Sequence, residues 1–382
     1  MSKHILFVLD YYTPHRGGSE TVFQNVISRL LAKGYQISIL TSRFDSSLAR
    51  EEHHDQLSIY RTAKSRLGFV FAAFFRGRKI LKKNKDIHFI HTSTYGGAIP
   101  ASLLGLIFHK KVILTVHEIF GKLRYVYKGF VGGLLYKFFE RSIFYMPYST
   151  YHCVSQNTMN DIHRVYKIPL SKIHMIYNGV DTEFRNPKHV SESDIVSRKS
   201  AHGRDNRYVV LYFGHAGKSK GLDYLVAAVP EILKQNSNIL CVFNIIDSKR
   251  TKFLESKILQ TTDEDHKIKI RDNSKIQLYK GFDQSQLRTV VAAANLIVAP
   301  SLSEGFGSVH TEVVALGKPL LTTTAGPIPE VVRGNVKLIQ PANVDQIISS
   351  VLDFSHNRIT ENIPEKEFSR DATVDEIEKL YN

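Results

Sequence analysis

Short apolar runs alternate with longer stretches of helical spacing along most of the chain. Runs at 4–9, 36–41, 87–91, 111–116 and 150–154 read as buried strands. A second set follows at 208–213, 239–245, 275–279, 295–299 and 319–323. Between them, apolar residues recur every three or four positions over 19–33, 70–82, 129–144, 156–166, 221–235, 284–293 and 307–316, the spacing of one helix face. Strands alternating with helices predict an α/β chain whose parallel sheets carry helices on both faces. Two sets of five strands predict two such domains, at 1–184 and 208–365. The run between them, "RNPKHVSESDIVSRKSAHGRDNR" at 185–207, has the composition of a linker or surface loop. The end of the chain, 366–382, is expected to form a terminal amphipathic helix through "ATVDEIEKLYN".

Composition adds limits. At 382 residues the chain is long enough for two or three cores, and its 43% apolar content is that of a globular protein. No apolar run reaches the ~18 residues of a membrane-spanning helix. The opening "KHILFVLD" is expected to be a first strand rather than a signal peptide. Cys153 and Cys241 lie far apart in strand-like segments, which points to buried free thiols in a reducing compartment and to no zinc site.

Charge changes the picture more. Residues 1–180 hold 25 Lys+Arg against 10 Asp+Glu, whereas residues 181–382 hold 26 of each. Within the first part, residues 61–141 carry 16 basic and 3 acidic side chains. Such a field calls for an anionic partner. In 61–85 and 120–148 the basic residues flank bulky apolar stretches, the pattern of helices lying in a membrane interface. An anionic membrane surface is therefore the expected partner, the alternative being ordinary core helices under a solubilising basic surface. Nucleic acid is not, because no recognition module accompanies the charge.

Several short stretches carry candidate chemistry. Gly17 and Gly18 follow the first strand and precede a helix, where backbone can approach an anion closely. The second half opens similarly, with "YVVLYFGHAGKSKGLDYL". Its "GKS" is not a P-loop, since position 212 is Tyr212 where that motif needs glycine. Lys220 abuts a helix N-terminus, a poor place for a cation unless a phosphate shares it. His117 ends the strand "ILTV". "EEHHD" at 51–55 looks metal-like but lacks ligand spacing and is expected to be a solvated loop. "SEGFGSVHTEVVALGKP" sets Glu304 before a helix and Glu312 within or beside its apolar stripe of Val309, Val313 and Leu316. A carboxylate there is costly unless a ligand hydrogen-bonds to it.

These stretches, "PHRGGSE", "TVHE", "YNGVD", "KGLDYL" and the E-x7-E run, stand in an order and spacing that resemble family 4 of the retaining glycosyltransferases. The resemblance spans nearly the whole chain. It implies the GT-B fold: two Rossmann-like domains facing each other across a cleft, with the C-terminal helix returning to the first. It implies transfer of a sugar from a UDP- or GDP-linked donor, with retained configuration and no required metal or other cofactor. Glu312 would bind the ribose hydroxyls. Glu304 would contact the donor sugar, with Gly305, Phe306 and Gly307 offering amides. Lys220, Gly17 and Gly18 would take the diphosphate, and His117 would touch the sugar. Gly281 and Phe282 would lie near the base. Glu304, His117 and Lys220 are the expected catalytic residues.

One departure stands out. Many members have "G-R-x-x-x-x-K-G" where this chain has "GHAGKSKG", so His215 replaces an arginine and offers no bidentate fork. Lys218 is placed to compensate. The charge and its interleaving with apolar stretches in the first domain point to a lipid or lipid-linked acceptor and to a peripheral enzyme on the cytoplasmic face of a membrane. The alternatives are a sugar-nucleotide epimerase on the same scaffold and a catalytically weak membrane-binding protein that keeps the fold. A hydride-transferring dehydrogenase fits less well still, because no G-x-G-x-x-G follows the first strand.

Overall fold

The computed structural model describes residues 3–15, 17–121, 123–180, 190–193, 206–246, 256, 275–279, 284–359, 362–364 and 368–382. The chain divides into two compact units, Met1–Gly179 with Phe368–Asn382, and Val180–Glu367.

The first unit contains β1 (His4–Leu9), β2 (Gln36–Ser42), β3 (Glu51–His54), β4 (Leu57–Thr62), β5 (Ile87–Ser93), β6 (Lys111–Val116), β7 (Thr150–Cys153) and β8 (Ile173–Met175). They form one sheet in the order β3-β4-β2-β1-β5-β6-β7-β8, parallel except for the β3–β4 pair. Every residue of β1 is buried, which explains its unbroken apolar reading. Its side chains alternate between two cores. Leu6 and Val8 pack with α2 (Arg66–Lys83), α3 (Ala98–Phe108), α4 (Leu123–Tyr145) and α5 (Gln156–Tyr166). Ile5, Phe7 and Leu9 pack with α1 (Gly18–Ala32) and the C-terminal helix Arg370–Lys379. The terminal helix is anchored by Val374, Ile377 and Tyr381, each worth about 1.5–3 kcal/mol of apolar burial. Tyr381 also meets His91 Nδ1 at 2.5 Å through its hydroxyl.

The second unit contains β9 (Tyr208–His215), β10 (Ile239–Ile246), β11 (Ile276–Tyr279), β12 (Leu296–Ala299), β13 (Leu320–Thr323), β14 (Gly334–Ile339) and β15 (Asn362–Ile363). Their order is β11-β10-β9-β12-β13-β14-β15, with only β14–β15 antiparallel. Five described helices accompany them: α6 (Leu222–Gln235), α7 (Gln284–Ala293), α8 (Ser308–Ala315), α9 (Ile328–Val331) and α10 (Val344–Ser355).

Some elements differ from the sequence expectation. The "EEHH" segment is not a loop: it pairs with β4 as an edge strand, and its polar, mostly exposed side chains gave no strand pattern. Helix α3, "AIPASLLGLIF", is apolar nearly all round, so it carries no helical period to read. Helix α10 and strand β14 also lie outside the elements the pattern predicts, although Asn343 caps α10 by accepting from Gln346 N at 2.9 Å. Most of the expected 185–207 linker lies outside the described residues.

Candidate functional site

In the second unit, the turn after β9 and the loop after β12 are tied together. Leu302 N donates to Ser219 O at 2.7 Å, and Gly221 has φ 64°. A Cβ at Gly221 would fall on the Pro300 carbonyl oxygen, so only glycine lets the two loops approach this closely. Across this junction Lys220 Nζ donates to both Glu304 oxygens, at 2.8 and 2.9 Å. Ser301 Oγ adds a third bond to Glu304 at 2.7 Å, while Thr323 Oγ1 holds the Ser301 carbonyl at 2.5 Å. Burial pushes the Glu304 carboxyl up, but the Lys220 charge and the hydrogen bonds from Lys220 and Ser301 outweigh it and leave it below the ordinary value. The buried carboxylate is thus ionised and already partnered by a cation.

Gly307 (φ 93°) ends the loop and opens α8. Val313 and Leu316 are buried, as their spacing predicts, but Val309 is only half-buried. Glu312 is half-buried as well, and Glu304, in the loop before the helix, has a side chain only 8% exposed. The buried polar residues of α8 are His310 and Thr311. The His310 ring faces the carbonyls of Ala299 and Gly307, which favour its protonated form, but burial outweighs them and lowers its pKa. Phe306 is buried and Gly305 half-buried; His215 and Lys218 are exposed at the mouth of the β9 turn. Gly281 and Phe282 lie outside the described residues.

In the first unit, Gly17 is the N-cap of α1, in extended conformation, and Gly18 is its first residue. Space beside Gly18 is open. The space beside Gly17 holds the Glu20 carboxylate, which accepts from Ser19 Oγ at 2.9 Å. His117 follows β6 with its ring edge-on to Phe23, 5.8 Å between centroids. Its Nε2 is buried without a partner. Burial, with His152 nearby, pushes its pKa down to about 3, so the imidazole is neutral. A neutral ring with an unused nitrogen at the carboxyl end of a parallel strand is suited to a hydroxyl-bearing ligand.

The chain matches the family model for Glycosyltransferase Family 4 over residues 16–184 and that for Glycosyl transferases group 1 over residues 195–371. It belongs to these glycosyltransferases. An uncharacterized glycosyltransferase of Methanocaldococcus jannaschii is 24% identical over 87% of this chain and 83% of its own. The phosphatidylinositol N-acetylglucosaminyltransferase GPI3 subunit of Saccharomyces cerevisiae is 22% identical over 100% of this chain and 80% of its own. Among solved structures, sucrose-phosphate synthase of Thermosynechococcus elongatus superposes with a TM-score of 0.75 at 16% identity, covering 100% and 98% of the two chains. Anabaena HepE in complex with UDP-glucose gives 0.72 at 17% identity, covering 99% and 98%. These likenesses establish the GT-B fold, two Rossmann-like units.

For this glycosyltransferase the structure also exposes groups that sequence reasoning passed over. Ser301 and His310 surround Glu304, and Asn244, 2% exposed, leaves its Oδ1 unpartnered near the carboxyl end of β10. Asp10, at the end of β1, accepts from Gly97 N at 2.7 Å, and burial raises its pKa. Only a polar residue inside an apolar run signalled any of these.

The basic stretches form α2 and α4, and each bares an apolar stripe. On α2 it is Leu67, Phe71 and Phe75, four residues apart and 63–75% exposed. On α4 it is Phe130, Leu134 and Phe138, with Val131 and Leu135 beside them. Gly129 (φ 70°) breaks α4 just before Phe130. Gly133, which has no room for a Cβ beside Tyr125, lets the segments on either side of the break touch. Among the described residues no helix is long and apolar enough to cross a membrane.

Proposed function

We propose that this glycosyltransferase moves a sugar, with retention of configuration, from a nucleoside-diphosphate sugar to a lipid or lipid-linked acceptor at an anionic membrane surface. The observation that carries the reading is the Lys220–Glu304 pair, set where two loops meet at the carboxyl edge of the second unit's sheet.

Breaking the sugar–phosphate bond leaves an oxocarbenium-like sugar and a diphosphate gaining charge. Fixed cations and amides at the leaving group stabilise that state. Lys220 is assigned to the diphosphate, with His215 and Lys218 on the same turn and Gly17 and Gly18 from the first unit. Glu304, oriented by Lys220 and Ser301, is assigned to the sugar hydroxyls, and the amides of 305–307 to the same ring. Glu312 is assigned to the ribose, and Gly281 and Phe282 to the base. His117, neutral, contacts the reacting sugar. The acceptor attacks on the leaving group's face, so the two glutamates are not the acid–base pair of a glycosidase.

A UDP-linked donor is favoured by Anabaena HepE, whose structures contain UDP and UDP-glucose. A lipid acceptor is favoured by the phosphatidylinositol glycosyltransferase relative and by the two exposed stripes with their Lys and Arg margins. Those stripes suit peripheral seating on the cytoplasmic leaflet, where each basic residue adds about 1 kcal/mol. A thermal-shift screen against UDP- and GDP-linked sugars tests the donor, since a ligand stabilises only the state that binds it. Donor consumed without any acceptor present would mark an epimerase instead.

A further inference from the structure

Helix α4 has two opposed faces. Its apolar stripe points outward, while Glu140, on the other side, is completely buried. A carboxylate is an expensive core residue, and an apolar side chain of similar volume would generally be neutral or better for stability. Its partners show what it holds. Phe120 N donates to Glu140 Oε2 at 3.3 Å, Arg124 Nη2 approaches Oε1 at 3.4 Å, and the Tyr166 hydroxyl donates to Oε1. Arg124 in turn donates through Nε to the Gly121 carbonyl. The same loop is held from another side by Tyr95, whose hydroxyl donates to Glu118 O at 3.0 Å and whose ring stacks on Phe120. The loop gripped in this way, 117–121, begins with His117.

We propose that Glu140 is a positioning residue, which fixes the loop after β6 through Phe120 and Arg124 and thereby sets His117 for transfer. The proposal rests on the reading of His117 given above. Glu140 touches no reacting atom; it acts by adding a polar anchor to a loop that Tyr95, the burial of Ile119 and the ring contacts of Phe120 also hold. Misplacing a contact by an ångström costs up to about a hundredfold in rate.

The test compares full-length wild type with Glu140→Gln and Glu140→Asp. Glutamine keeps the shape and one accepting oxygen but loses the ion pair; aspartate keeps the charge on a shorter stem and remains informative if the glutamine variant folds poorly. Amide exchange across 117–124 should quicken at least about tenfold, with the rest of the first unit unchanged. With UDP-sugar and acceptor, kcat should fall about ten- to a hundredfold while donor KM stays within about twofold. Combined with His117→Ala, Glu140→Gln should lower kcat no further than His117→Ala alone, because both act at one contact. Unchanged exchange over 117–124, or independent losses in the double variant, would overturn the proposal. If wild type transfers no sugar at all, the proposed function fails, and the exchange measurement alone decides whether Glu140 holds the loop.

Discussion

Lys220 Nζ lies within 2.9 Å of both carboxylate oxygens of Glu304, 84 positions further along the chain. Neither residue is fixed by its own loop alone; the backbone bonds between Ser219 and Leu302–Ser303 bring them together. Lys220→Ala strands the buried carboxylate. Because Lys220 is about a third exposed, we expect a loss of about 1–3 kcal/mol rather than the full value of a buried pair. In Lys220→Ala/Glu304→Gln the two losses should not add, since the glutamine needs no cation. Chemical denaturation of the four proteins checks this; additive losses would mean the pair is not coupled.

Glu312 behaves differently, because it is only half-buried. Glu312→Ala should leave the melting temperature without ligand nearly unchanged. It should weaken donor binding by about 1.5–3 kcal/mol, the value of a hydrogen bond to a charged group. Isothermal titration with UDP and with the UDP-sugar checks it. Equal donor affinity in mutant and wild type would remove Glu312 from the ribose.

The strands that line both sites were legible because strands buried on two faces read as plain apolar runs, as β1 and β9 do. What failed to read was either exposed, like "EEHH", or apolar without a period, like α3. The site divides along the same line. Glu304, Glu312 and Lys220 stand in local patterns. The Lys220–Glu304 contact and the grip of Glu140 on Phe120 join residues from separate elements, and no local window contains such a pair. Glu312 stands half-buried beside the apolar stripe, while α8 turns His310 and Thr311 fully inward, which its spacing alone does not reveal.

Three buried histidines of the first unit predict a stability profile. Burial pushes His117 down to about 3 and His152 to about 4, and lowers His91 as well. The unfolded chain therefore binds protons that the folded one refuses, between about pH 6.5 and these folded values. Stability should be full above pH 6.5 and fall as the pH drops, by about 1.4 kcal/mol per unit for each histidine. Asp10, whose pKa burial raises, opposes this only in the carboxyl range. Calorimetry from pH 7 to pH 5 checks the slope, which His152→Gln should reduce. A melting temperature constant over that range contradicts the assignment.

The exposed stripes predict lipid binding that depends on charge. The protein should float with vesicles containing phosphatidylglycerol, not with phosphatidylcholine alone, and release as salt rises. Phe130→Ser/Phe138→Ser should weaken flotation at least about tenfold while leaving donor binding intact. Binding indifferent to lipid charge would reassign the basic surface to a soluble acceptor.

Transfer itself is the most direct measurement. Full-length protein would be incubated with a radiolabelled UDP-sugar and anionic vesicles of extracted lipid, and the organic phase counted and its linkage resolved by NMR. Label is expected in a lipid product with the donor's anomeric configuration, abolished by Glu304→Gln. Label released only as free sugar or epimerised nucleotide, or a lipid product of inverted configuration, would contradict it.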